Sequence, residues 1–308
     1  MVNRGIDRIS ISVSNMAESV SFFRDVLEMS VVADQEIDPS AFRRLWRLPA
    51  GTTARATWLG NNEQNTLIEL LEVTPNTGTS TREGAAMYDY GLLDIAFRAK
   101  GLVSIVEDLR RDDVGFRSKP VVYTAEWANV TVAEVVMIGP DALPIALIER
   151  LSEPKPAIRG RFGTMVDVAQ FVPAMEPCAA FYTGVLGYTS VFDRDLPDGL
   201  IDEVVGLPPG TRSRMNFLVR PDATAPVVEL LHTSAPGRSL APVTGPTYFG
   251  LFSLAFQTAD LLALLQHVGA AGLEVVSGPT TMEIGPRGRI EAAVVRGPNQ
   301  VLLQFFSK

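Results

Sequence analysis

Histidine and cysteine are almost missing from this chain of 308 residues, which has two of the first, His232 and His267, and one of the second, Cys178. A single cysteine excludes an internal disulfide and fits a reducing, cytoplasmic setting. Within Cys178-Ala179-Ala180-Phe181 it reads as a small core residue, not a nucleophile. So few histidines leave no Ser-His-Asp or Cys-His arrangement in view. Gly-rich phosphate loops, a nucleophile elbow and CxxC pairs are absent as well. No run approaches the ~20 apolar residues of a membrane span, and Met1-Val2-Asn3-Arg4-Gly5 offers no apolar signal core. Positive charge is also short: 27 Lys and Arg stand against 35 Asp and Glu, a net charge of -8. Without a basic footprint, nucleic acid and anionic membrane are excluded as partners. A small molecule is the partner expected, with a homodimer left open.

What the chain does have is a repeat. Phe22-Phe23-Arg24-Asp25-Val26-Leu27 returns as Phe181-Tyr182-Thr183-Gly184-Val185-Leu186, and Leu48-Pro49-Ala50-Gly51-Thr52 as Leu207-Pro208-Pro209-Gly210-Thr211. Asp94-Ile95-Ala96-Phe97 returns as Ser253-Leu254-Ala255-Phe256, and Ser118-Lys119-Pro120 as Ser277-Gly278-Pro279, all at an offset of 159 residues. Ile68-Glu69-Leu70-Leu71 returns as Val228-Glu229-Leu230-Leu231 after one inserted residue. Matches in one register point to a tandem duplication. Its seam is Ser152-Glu153-Pro154-Lys155-Pro156, a linker by composition.

Each half divides again into two units of the same order. Arg8 to Val13 alternates as a strand, with Arg8, Ser10 and Ser12 on one face. Asn15 and Glu18 form a capping box, and Met16, Val20, Phe23 and Leu27 make a helical apolar stripe. Strands follow near 30–33, 54–59 and 67–73. The second unit predicts a strand over 93–99, a helix over 102–111 and strands near 119–123, 130–138 and 145–149. Units three and four open on strands over 166–172 and 252–258. The fold class is α+β, four βαβββ modules in tandem.

A strand, a helix ending in Phe-Phe/Tyr-x-x-Val-Leu and three strands closing on Ile/Val-Glu-Leu resemble the vicinal oxygen chelate superfamily. Its members include glyoxalase I, the extradiol dioxygenases and the bleomycin-resistance proteins. The resemblance implies paired modules closing two open, glyoxalase-like barrels. Adjacent modules are expected to pair, one and two over 1–151, three and four over 157–308; exchange of partners between halves or chains is the other arrangement. It also implies a metal held from the start of each first strand and from a Glu on the last. Those positions here are Arg8, Asp94, Asp167 and Ser253, then Glu69, Ala146, Glu229 and Gln304. None is a histidine. His232 alternates away from Glu229, and His267 sits at a helix C-terminus where a cation is favoured. Extradiol cleavage, which needs two His and a carboxylate on iron, is argued against.

Arg8, Glu69 and Asp94 are expected to cluster in the space a metal would hold, either as a structural ion pair or as an oxyanion-binding and proton-transfer group. Asp167 and Glu229, with Ser253 and Gln304, offer a second set of oxygen donors. Ser10, Trp58, Tyr90, Phe217, Ser253 and Gln304 are candidates for contact with substrate; Arg55 and Arg214 match each other and are left between cavity and solvent. Three functions follow. One is a cofactor-free isomerase, cyclase or lyase acting on an oxygen-rich or aromatic metabolite, with Arg8, Glu69, Asp94, Asp167 and Glu229 as its ionisable machinery. Another is a non-catalytic drug- or metabolite-binding protein. The third is a metal-dependent enzyme using the oxygen donors of the second half.

Overall fold

The computed structural model of the chain describes residues 2–61, 64–125, 129–220 and 226–308. Module one runs β1 (Val2–Ser12), α1 (Met16–Ser21), β2 (Ser30–Ile37), α2 (Pro39–Trp46), β3 (Thr53–Gly60) and β4 (Leu67–Thr74). Module two follows with β5 (Gly91–Ala99), α3 (Leu102–Arg111), β6 (Val121–Ala125), β7 (Val130–Ile138) and β8 (Pro144–Arg150). Module three holds β9 (Phe162–Phe171), α4 (Met175–Ala180), β10 (Thr189–Asp195), α5 (Asp202–Val205), β11 (Ser213–Val219) and β12 (Val227–Thr233). Module four ends the chain with β13 (Gly250–Thr258), α6 (Leu261–Ala270), β14 (Glu274–Ile284), β15 (Gly288–Arg296) and β16 (Leu302–Ser307).

Local chemistry sets these elements as expected. The Asn15 carboxamide accepts from the Glu18 amide at 3.2 Å, capping α1. Wide, i→i+5 turns at Phe22–Val26 and Phe181–Val185 end α1 and α4, so the repeated Phe-x-x-x-Val-Leu stretch folds alike in both halves. Gly51 and Gly210, at φ +89 and +78, turn the repeated Leu-Pro-x-Gly-Thr segment where a side chain would be strained. Two helices were not anticipated. The Asp38 side chain caps α2 and Pro39 opens it, burying Phe42, Leu45 and Trp46; α5, at its matching position, is one turn with Val204 and Val205 buried.

Sheet topology corrects the expected pairing. One sheet runs β14-β15-β16-β13-β1-β4-β3-β2 and joins module four to module one; the other runs β10-β11-β12-β9-β5-β8-β7-β6 and joins module three to module two. Partners are exchanged between the halves. The seams are antiparallel: Ile9 stands opposite Leu254 where β1 meets β13, and Ile95 opposite Val168 where β5 meets β9. The physical reason is that the first strands of modules from opposite halves pair with each other, which a module's own linker-bound neighbour could equally have done.

Three cores result. A large one, with Ile9, Phe23, Phe97, Ile105, Tyr182, Leu254 and Phe305, draws on all four modules and lies between sheets and helices. The other two sit within the curl of each sheet, one around Trp58, Phe42 and Phe306, the other around Leu93, Phe171 and Leu231. Arg55 and Arg214 lie outside these, paired bidentately with Asp34 and Asp193 on exposed surface. No helix of the described residues is long and apolar enough to cross a membrane.

Since each barrel takes one module from each half, residues 1–151 alone leave β1 and β5 without their seam partners. Expressed separately, the halves are expected to be non-monomeric and to recombine one to one, as read by light scattering on size exclusion; a folded, monomeric 1–151 would contradict the exchange.

Candidate functional site

The exchange redistributes the candidate residues. In the barrel of modules one and four, β1 brings Arg8 and Ser10, β3 Trp58, β4 Glu69, β13 Ser253 and β16 Gln304. Arg8 is fully buried: Nη2 donates to Gln304 Oε1 at 2.9 Å, Nη1 to Asp7 Oδ1 at 3.1 Å, and Nε lies 3.4 Å from Glu69 Oε1. Its guanidinium also sits 5.0 Å from the Phe306 ring centroid. Glu69 accepts from Ser10 Oγ at 2.6 Å and from Trp58 Nε1 at 3.0 Å. The α2 residues Phe42, Leu45 and Trp46, with Met282 and Ile284 of β14, close the space above. About 10 Å³ remains, at the lower limit of what one water needs. This barrel is filled and leaves no room for a bound molecule beside the buried Arg8–Glu69 pair.

Contrary to the expected cluster, Asp94 does not join Arg8 and Glu69; it lies in the other barrel. Likewise Ser253 and Gln304 are separated from Asp167 and Glu229, so the oxygen-donor set attributed to the second half does not assemble. Tyr90 also lies outside both cavities, its hydroxyl accepting from the Gly237 amide at 3.4 Å. His232 turns from the cavity and bonds the Val172 carbonyl at 3.1 Å, and Cys178 is buried, its thiol pushed up to about 12 by desolvation.

The barrel of modules two and three is open within. A cavity of about 240 Å³ is lined by Asp94, Asp167, Glu229 and Phe217, together with Glu134, Tyr123 and Arg98, which the sequence reading did not single out. Smaller residues make the space. At the places of Phe42, Leu45 and Trp46 stand Ile201, Val204 and Val205, and Phe217 replaces Trp58. Ala146 replaces Gln304, since Val136 faces Ala146 in one barrel as Val294 faces Gln304 in the other. Two residues earlier on the same strands, Glu134 stands where the filled barrel has Ala292.

Strand register arranges the acids. Glu229 is level with Ala169, and Ala169 with Asp94, so these two carboxylates come from strands on either side of β9, ~10 Å apart at the backbone. Asp167 stands one step along β9, opposite Ala96. Burial is the first cause that raises all four. Asp94 is held well above its ordinary value by desolvation and by Asp167 and Glu134, with one oxygen unbonded among the described residues. Desolvation and then Asp167, Asp94 and Glu134 raise Glu229. Glu134 is raised by desolvation against the hydrogen bond it accepts from the Tyr123 hydroxyl at 2.5 Å. Desolvation and Glu134 push Asp167 up to about 7, opposed by Arg98. Glu134 and Glu229 keep some accessible surface, but it is cavity surface deep in the barrel, where water cannot solvate an ion as the bulk does.

The metal implied by the resemblance does not fit. In one barrel the Arg8 guanidinium fills its place. In the other, Ala146 takes one ligand position, and among the described residues no three of His, Cys, Asp and Glu stand where they could hold a metal ion.

Comparison with known proteins agrees with this architecture. The profile of the Glyoxalase/Bleomycin resistance protein/Dioxygenase superfamily matches residues 5–126 and 164–305. Glyoxalase I from Zea mays is similar in structure, with a TM-score of 0.65 at 15% identity, covering 98% of this chain and 92% of that one. A putative dioxygenase from Bacillus subtilis is similar with a TM-score of 0.61 at 14% identity, covering 98% and 84%. At such identities the likeness is one of fold. No curated protein matches in sequence.

Two outcomes are expected. Arg8→Ala strands the Glu69 carboxylate in a filled barrel and should cost about 3–5 kcal/mol in urea denaturation; a loss below 1 kcal/mol would show that the pair is not structural. Asp94 keeps its proton in the folded chain above the pH at which it ionises unfolded, near 4. The folded state therefore binds more protons above pH 4, and this residue's contribution to stability is present below that pH and lost as pH rises. Asp94→Asn should thus stabilise the protein by on the order of 1–3 kcal/mol at pH 8 and by little at pH 4. A pH-independent effect would refute the assignment.

Proposed function

The chain belongs to the Glyoxalase/Bleomycin resistance protein/Dioxygenase superfamily, and from that membership we propose that it is a metal-independent acid–base enzyme, an isomerase, cyclase or lyase. Its site is the barrel of modules two and three, and its substrate a small molecule with a largely apolar body, met in the cytoplasm. The observation that carries this reading is the convergence of Asp94, Glu134, Asp167 and Glu229 on one largely apolar cavity of about 240 Å³. A cavity that only bound an apolar ligand would gain nothing from four desolvated carboxyl groups.

The roles follow from the environments. Asp167, poised at about 7, is present in both forms near neutral pH and suits a group that takes and returns a proton. As carboxylate it removes a proton from a carbon next to a carbonyl. The electron pair of that C–H bond becomes the C=C bond of an enolate as the carbonyl π pair moves onto the oxygen; when Asp167 returns the proton to carbon, the pair on oxygen re-forms the C=O bond. Asp94 and Glu229, held protonated, donate hydrogen bonds to the oxygen as its charge grows. Tyr123 fixes Glu134, and Phe217 and Met215 supply apolar wall. Arg8 and Glu69 have no part in this.

The test is deuterium exchange in D2O, followed by proton NMR, over a panel of small enolisable ketones and 2-oxo acids. At least one bound compound should exchange, with a rate that rises with pH through about 7 as Asp167 loses its proton. Asp167→Asn should slow that exchange by about 10²-fold or more while binding persists. Binding without exchange in every compound would make the cavity a binding site and end the acid–base reading.

A further inference from the structure

One cation lines the acidic cavity and has no stated use. Arg98, half-buried on β5, has no hydrogen bond or ion pair among the described residues, although Asp167 lies close enough to feel its charge. Elsewhere in the fold a buried or half-buried guanidinium is occupied: Arg82 by the carbonyls of Ala86, Met87 and Leu92, Arg8 by Gln304 and Glu69, Arg214 by Asp193. A guanidinium that lines a cavity and bonds no acceptor among the described residues leaves an interaction that a ligand can supply.

Resting on the cavity identified above, we propose that Arg98 anchors a carboxylate of the substrate, and hence that the substrate is a small organic acid with an apolar body. The geometry along β5 is specific. Asp94, Ala96 and Arg98 alternate onto the cavity face, so Asp94 and Arg98 stand ~13 Å apart along the strand, with Asp167 opposite Ala96 between them. A carboxylate on Arg98 places a carbon a few bonds away, ~6–7 Å along the strand, level with Asp167. The planar guanidinium matches a carboxylate bidentately. Among the described residues the acids around it form no hydrogen bond or ion pair with Arg98, and burial raises all four toward their neutral forms, so a bound anion meets a guanidinium that is not already paired. The volume, about 240 Å³, suits a compact monocarboxylate better than an extended one.

The experiment uses isothermal titration calorimetry on the full chain with phenylacetate, phenylpyruvate and phenylpropionate, each beside its uncharged amide. At least one acid should bind at least tenfold more tightly than its amide. Arg98→Gln should abolish that preference while leaving amide binding within twofold, and Arg98→Lys should restore part of it. Equal binding of acid and amide, unchanged acid affinity in Arg98→Gln, or no binding of any acid at 10 mM would each overturn the anchor. Proton exchange separates the two readings: if acids bind through Arg98 but no compound exchanges its proton in the unaltered protein, the anchor stands and the proton chemistry falls. Exchange of a neutral ketone untouched by Arg98→Gln would do the reverse.

Discussion

The antiparallel seams between β1 and β13 and between β5 and β9 decide everything that follows inside the barrels. Strand alternation already settles which side chain points inward, because a strand's period is two. It does not settle which inward-pointing residues share a space. That depends on which first strand pairs with which. With the seams as they are, Arg8 and Glu69 meet Ser253 and Gln304, and Asp94 meets Asp167 and Glu229. Had modules one and two closed a barrel together, Asp94 would have shared a space with Arg8 and Glu69, apart from Asp167 and Glu229 of module three.

The two barrels bury charge in opposite ways. Around Arg8 every charge has a partner and apolar bulk fills the rest, an arrangement in which removing one member is costly because the other cannot escape to water. Around Asp94, carboxyl groups crowd a cavity with one unbonded guanidinium nearby, and desolvation and mutual repulsion shift them toward the neutral form. The first solution stabilises the fold. The second gives up stability above pH 4, because its carboxyl groups are held away from water and partner charges, and such raised groups are common where chemistry is done.

Much of this was legible in the sequence. Strand alternation, the Asn15 cap and the repeat in register located most strands and α1, α3 and α6, and the repeat identified Glu69 and Glu229 as equivalent. The helix α2 was missed although Asp38, Pro39 and the i, i+3, i+4 spacing of Phe42, Leu45 and Trp46 spell it out; α5 is too short to show a period at all. Glu134 and Arg98 had a signal too. Glu134 is a charged residue on a face otherwise apolar, Val130-Val132-Glu134-Val136 on β7, and Arg98 shares the β5 face of Asp94 and Ala96. Module pairing had none, because β1, β5, β9 and β13 carry similar apolar residues on their seam-facing surfaces and any two could form the ladder.

The exchange of modules gives the chain the internal symmetry of an isologous pair: the first module of each half closes on the second module of the other. In a dimer of identical half-length chains, both barrels would come from one set of residues, and any substitution that packed one shut would pack the other shut as well. Joined through the segment around Pro154, the two places are encoded separately. Trp58 and Phe217, Arg8 and Asp167, Trp46 and Val205 can then differ without conflict. One barrel is free to become ballast for the fold, and the other is released from having to contribute its share of stability.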